Sequence, residues 1–197
     1  MSLQLLPKIV RENFELHEWR HATAILQSDF PAEWDDLCDV LPRFKLCKSF
    51  ISQGGGNKSQ VSKWFDEHLN AGKGWIEKKF ETAIDIDGAR RESPTHSIDC
   101  FKNQVALEIE WNNKDPFYDR DLNNFRLLFD LRVISVGILV TRCDSLQAIF
   151  NQLGRGSSYG ESTTHMRKLL PKIEGGGAGG CPLLVFGIKD ALYDEYH

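Results

Sequence analysis

Apolar runs long enough to cross a membrane are missing from this chain of 197 residues: none reaches the roughly 18 that a span needs. A signal-peptide core is missing too, because Pro7, Lys8, Arg11 and Glu12 interrupt the N-terminal stretch. The five cysteines (38, 47, 100, 143, 181) are odd in number and form no C-x-x-C pair. That pattern predicts reduced thiols in the cytoplasm and argues against a zinc site. Positive charge is not in excess: 24 Lys and Arg stand against 28 Asp and Glu, giving a net charge of −4 and a pI near 5.9. A uniformly basic nucleic-acid binder is thereby disfavoured, although cations need only line one cleft. Two glycine-rich runs fall short of phosphate or dinucleotide fingerprints. Gly54–Ser59 lacks a Gly four residues before a Gly-Lys-Ser/Thr, and no strand leads into Gly175–Gly180. No G-x-S-x-G elbow supports a Ser-His-Asp hydrolase. Length and a hydrophobic content of 41% predict one domain over 1–197, with a helical part at 1–74 and a core at 75–190.

The informative stretch that is present is Ser97–Asp115, SIDCFKNQVALEIEWNNKD. Val105, Leu107, Ile109 and Trp111 alternate with Ala106, Glu108 and Glu110, which predicts a strand with one apolar and one acidic face. Ser97–Phe101 is a second short strand candidate, and a turn centred on Lys102 and Asn103 makes the two a hairpin. Asp99 then lies opposite Ala106 and diagonal to Glu108. Like charges so close destabilise a sheet, and a divalent cation with oxygen ligands offsets them. A solvated acidic face with Lys and Arg neighbours is the alternative.

The flanking chain supplies helices and further strands. An imperfect helical stripe predicts helix over 3–27, which places His17 and His21 on one face as surface or interface residues. Pro31 opens a second helix with Asp29 as cap, and Ser59–Asn70 forms another after a glycine turn whose Lys58 can approach a DNA backbone. Trp75–Ala83 reads as helix and 88–94 as a polar loop. Asp119–Asp130 reads as helix with Leu122, Phe125, Leu128 and Phe129 inward, and Val133–Val140 as a central, doubly covered strand. Strand, helix, strand predicts a parallel crossover. A short helix follows at Leu146–Leu153. Glu161–Lys168 enters a helix with Ser162 or Thr163 as cap; its hydroxyl-rich start with His165, Arg167 and Lys168 also suits a phosphate or base. Pro182–Ile188 is a buried strand, and the acidic tail from Asp190 frays or packs at an edge.

Asp99, eight residues, then Glu108-Ile109-Glu110 resembles the catalytic hairpin of the PD-(D/E)xK nucleases, in the variant of the BamHI, BglII and BstYI group. Glu108–Phe125, EIEWNNKDPFYDRDLNNF, is close to that group's pattern. Two departures stand out: Thr95–Asp99 lacks the Pro-Asp pair, and Glu110 occupies the usual Lys position. The resemblance implies an α/β fold, a mixed β-sheet flanked by helices with a helical N-terminal half. It implies a type II restriction endonuclease cutting double-stranded DNA at a short palindrome as a homodimer, with a methyltransferase acting on the same site. Asp99, Glu108 and the carbonyl of Ile109 would hold Mg2+, and Glu110 would orient or deprotonate the attacking water. Glu81, then Glu77, is the candidate for a further acid. Asn112, Asn113 and Lys114, with Ser162, Thr163, Thr164, His165 and Lys168, are the DNA-binding candidates, against the plainer readings of an Asn-rich turn and a helix cap. A repair or structure-specific nuclease on this fold, or a DNA-binding module that does not cut, are the alternative roles.

Overall fold

The computed structural model describes residues 2–53 and 58–196. The helices are α1 (Lys8–Asn13), α2 (Ala22–Asp29), α3 (Pro31–Val40), α4 (Lys48–Ser52), α5 (Gln60–Asp66), α6 (Pro116–Asp130), α7 (Gln147–Gln152) and α8 (Met166–Glu174). The strands are β1 (Phe14–Trp19), β2 (Leu46–Cys47), β3 (Ile76–Lys78), β4 (Glu81–Ile86), β5 (Ala89–Pro94), β6 (Ile98–Lys102), β7 (Val105–Ile109), β8 (Val136–Arg142), β9 (Leu183–Ile188) and β10 (Tyr193–Asp194). Six of them form one mixed sheet in the order β1-β9-β8-β7-β6-β3. Its centre, β7-β8-β9, is parallel, and both flanks are antiparallel.

Side-chain alternation along these strands divides the core in two. Val105, Leu107, Ile109 and Trp111 pack with Val10, Leu37, Phe65 and Trp75 of the N-terminal half. Ala106 packs on the other face with Leu122 and Phe125 of α6 and Leu169 of α8. The result is helix on sheet on helix, an α/β architecture. The contact of α6 with the sheet is close: a Cβ on Gly137 in β8 would lie 2.8 Å from the Phe125 ring and from Leu183. Glu108 and Glu110 share the face of Ala106, so their carboxylates point towards α6 rather than into solvent.

Several expectations change. The helix over 3–27 is broken by β1, which adds to the sheet edge beside β9. Phe14 is buried against Phe186, their centroids 6.0 Å apart, so tertiary pairing outweighs the helical stripe. His17 and His21 therefore do not share a helix face: His17 stacks on Trp19, and His21 has a positive φ ahead of α2. Asp29 ends α2, and no side chain caps α3. The stretch 75–83 holds β3 and the start of β4 rather than a helix, and 89–94 is the returning strand of a β4–β5 hairpin. The strand expected at 133–140 is shifted to 136–142 and buried throughout. The tail pairs β10 with β2 in parallel. Ser59 caps α5, accepting from Ser62 N at 3.0 Å. The glycine turn at 54–57 lies outside the described residues. No described helix is long and apolar enough to cross a membrane.

Candidate active site

Hairpin register decides where the acids meet. Phe101 pairs with Ala106 and Lys102 with Val105, so the turn is Asn103-Gln104, both at positive φ. This is one residue later than the sequence reading, and it brings Asp99 directly across from Glu108. The side chains lock that pairing: Asp99 N donates to Glu108 Oε2 at 3.2 Å, and Ile109 N donates to Asp99 Oδ2 at 2.9 Å. Behind the turn, Lys102 Nζ binds Asp36 Oδ2 of α3 at 2.8 Å, tying the hairpin to the N-terminal helices.

Glu108 and Glu110 are buried, 2% and 3% exposed. Glu110 accepts from Asn113 Nδ2 at 2.6 Å through Oε2 and from Arg120 Nη2 at 3.2 Å through Oε1. Asp121 lies behind it on α6, fully buried, with Oδ1 held by Arg120 Nε at 2.9 Å. Burial, then the neighbouring charge of Asp121, pushes the Glu110 carboxyl well above the usual carboxylate range. Glu108 is raised by the same causes in the same order, with Asp99 adding to them. Burial also raises Asp121. Burial thus shifts all three acids in the same upward direction, as in a site that gathers a cation or a proton.

In front of them opens a cleft of about 710 Å³, lined by Asp99, Glu110, Lys58, Glu77, His96 and Arg120 among others. Lys58 Nζ sits 2.6 Å from Asp66 Oδ2 and 3.8 Å from Asp99 Oδ1. Although burial opposes it, the hydrogen bond to Asp66 and the charge of Asp99 hold the Lys58 ammonium above its ordinary pKa. Ile109 also borders the cleft. Glu77, the second candidate for a further acid, lies on β3 and lines this space. Glu81, the first, is exposed at the start of the β4–β5 hairpin.

The two candidate DNA-binding stretches, far apart in sequence, meet. Lys114 bridges Thr163 in antiparallel fashion, Asp115 N donates to Ser162 O, and Thr164 N donates to Asn113 O. Thr164 Oγ1 accepts from the backbone N–H of Asn112 and of Asn113, both at 3.1 Å. Asn113, Lys114 and Ser162 are exposed; Asn112, Thr163 and Lys168 are half-buried. Thr164 and His165 are buried, and His165 Nδ1 lies 2.8 Å from Asp144 Oδ1. Helix α8 begins only at Met166, and neither Ser162 nor Thr163 caps it. Thr163 Oγ1 instead accepts from Arg142 Nη2 and donates to Gly160 O.

Asp121, Arg120 and His96 join the acid cluster without any expectation from the sequence. Asp121 had a signal: with Tyr118, Leu122 and Phe125 it completes the inward stripe of α6 at spacings of three and four, an acid where an apolar residue is expected. His96, half-buried, is pushed below its ordinary pKa by burial and then by Arg120.

The comparison with protein families gives one finding that covers nearly the whole structure. A family described as restriction endonuclease BglII/BglIII matches residues 14–188, from the first residue of β1 to the last of β9. No individually curated protein matches the chain.

Proposed function

Because this chain belongs to the BglII/BglIII restriction endonuclease family, a family of DNA-cutting hydrolases, we propose that it makes magnesium-dependent double-strand cuts at a short palindromic DNA site. A homodimer would place one active cleft on each strand, since two-fold protein symmetry mirrors a palindrome. A methyltransferase protecting the same site, without a stable complex, completes this reading. The observation that carries it is the cross-hairpin lock of Asp99 and Glu108 beside a cleft lined by the basic side chains of Lys58 and Arg120.

The donors fit magnesium. Asp99 and Glu108 offer hard carboxylate oxygens, with the Ile109 carbonyl as the third expected ligand. Glu108 Oε1 is buried without a hydrogen-bond partner. The bound ion would supply charge neutralisation at the scissile phosphate and a more acidic water. Glu110, fixed by Asn113 and Arg120, takes the role of orienting that water or accepting its proton. Lys58 and Arg120 line the cleft where phosphate oxygens would pass. Asn113, Lys114 and Ser162, the exposed members of the paired stretches, would read bases or backbone. Asn112, Thr163 and Lys168 come second, and buried Thr164 and His165 act by shaping that pair of segments.

Asp99→Ala tests the assignment. We expect cleavage to fall by about a thousandfold or more, since several kcal/mol of charge stabilisation is lost, while gel-shift affinity for cognate DNA is kept. Cutting at the wild-type rate sinks the site.

A further inference from the structure

The α6 side of the hairpin carries two donors that the magnesium reading does not use, His96 and Asp121, beside Glu108, which it does. His96, just before β6, Glu108 of β7 and Asp121 of α6 each place one ligand-type atom within 4.8 Å of the others. Glu108 and Asp121 are 2% and 0% exposed. One oxygen of each is already bound: Glu108 Oε2 accepts from Asp99 N, and Asp121 Oδ1 from Arg120. The other oxygen of each, Glu108 Oε1 and Asp121 Oδ2, is buried with no hydrogen-bond partner. Burying anionic oxygens without a donor is costly, so a proton or a cation must cover them.

We propose that His96, Glu108 and Asp121 form a second cation site, for a divalent transition-metal ion of the manganese-to-zinc series. An imidazole nitrogen with two carboxylates is a mixed donor set that such ions take readily; magnesium prefers oxygen alone. Asn124 Nδ2, also on α6, donates to His96 O at 3.1 Å and fixes the backbone of that ligand. An ion there would join the segment before β6, the central strand β7 and helix α6. The site shares Glu108 with the magnesium reading but does not rest on it, because His96 and Asp121 are its own. A proton shared between Asp121 and Glu110 is the competing cover for these oxygens, and it predicts no such ion.

The test is manganese binding to the whole protein in a large excess of magnesium, counted by calorimetry and by electron paramagnetic resonance. The expected result is one manganese per chain that magnesium does not displace. Asp121→Asn and His96→Gln should each weaken it at least about tenfold, and Asp99→Ala should leave it in place. His96 is half-buried, so His96→Gln still decides the question if Asp121→Asn fails to fold by circular dichroism. The proposal is overturned if no manganese survives the magnesium, or if the ion is lost on Asp99→Ala but kept in both other variants. Wild-type cleavage by Asp99→Ala, with manganese still held, would remove the magnesium reading and leave this one standing.

Discussion

Two hairpins follow one another along the chain, and they differ in nearly everything but their turns. In β6–β7 the loop is Asn103-Gln104, and in β4–β5 it is Asp87-Gly88; all four residues have positive φ, as type I′ turns need. The second hairpin in chain order is inserted in the six-stranded sheet, and every residue of β7 is buried. The first forms a two-stranded sheet of its own and leaves Ile84 and Ile86 about half exposed, each at 52%. Burial is what raises the carboxyl of Glu108 on β7 above its ordinary range. The same residue type on β4, Glu81, is exposed and has no such environment.

Exchanging acids across this comparison should produce the largest effect. Glu108→Gln should lower the cleavage rate by about a thousandfold, and Glu81→Gln should leave it within about twofold. Equal losses in a single-turnover assay would dissolve the distinction between the hairpins. Stability should divide the same way. Leu107→Ala empties a fully buried position and should cost about 2–5 kcal/mol. Ile84→Ala on the exposed hairpin should stay within about 0.5 kcal/mol. Urea midpoints at constant slope would measure both.

A pH titration of metal-free protein sharpens the contrast. Glu108, Glu110 and Asp121 have folded-state pKa values raised chiefly by burial. Their contribution to stability is whole below the ordinary carboxylate range and is lost as pH rises through the raised values. His96 works the other way, because its folded pKa is lowered, but its gain is complete by about pH 7. In EDTA the melting temperature should therefore fall between about pH 7 and pH 9, and Glu110→Gln should flatten the slope. A flat wild-type profile over that window counts against the buried acid cluster. The smallest effect is at the turn: Gln104 holds a positive φ without being Gly, Asn or Asp. Gln104→Gly should stabilise by under about 1 kcal/mol, visible as a small rise in melting temperature.

The same comparison explains what could be read from the sequence. Strand β7 was legible because its period-2 alternation divides two buried faces, and a one-residue error in the turn left that division intact. The β4–β5 hairpin was not legible as strand, although Ile84, Ile86 and Asp87-Gly88 carry the pattern, because Trp75–Ala83 also fits a helix. A strand with no core behind it has weak periodicity. Strand β1 was hidden for a different reason: its partner β9 lies at the other end of the chain, so local propensity pointed to helix. In the site, Asp99, Glu108 and Glu110 were visible through spacing. Their setting was not, since Arg120 and Asp121 come from the next helix and Lys58 from the N-terminal half.

The most direct measurement is to incubate plasmid DNA with the purified protein in magnesium and in EDTA, and to sequence the fragment ends. Discrete ends that share one palindrome and appear only with magnesium are the predicted result. DNA left intact under both conditions, by protein that shifts the same DNA in a gel, would contradict the account of the buried acids as a cutting site.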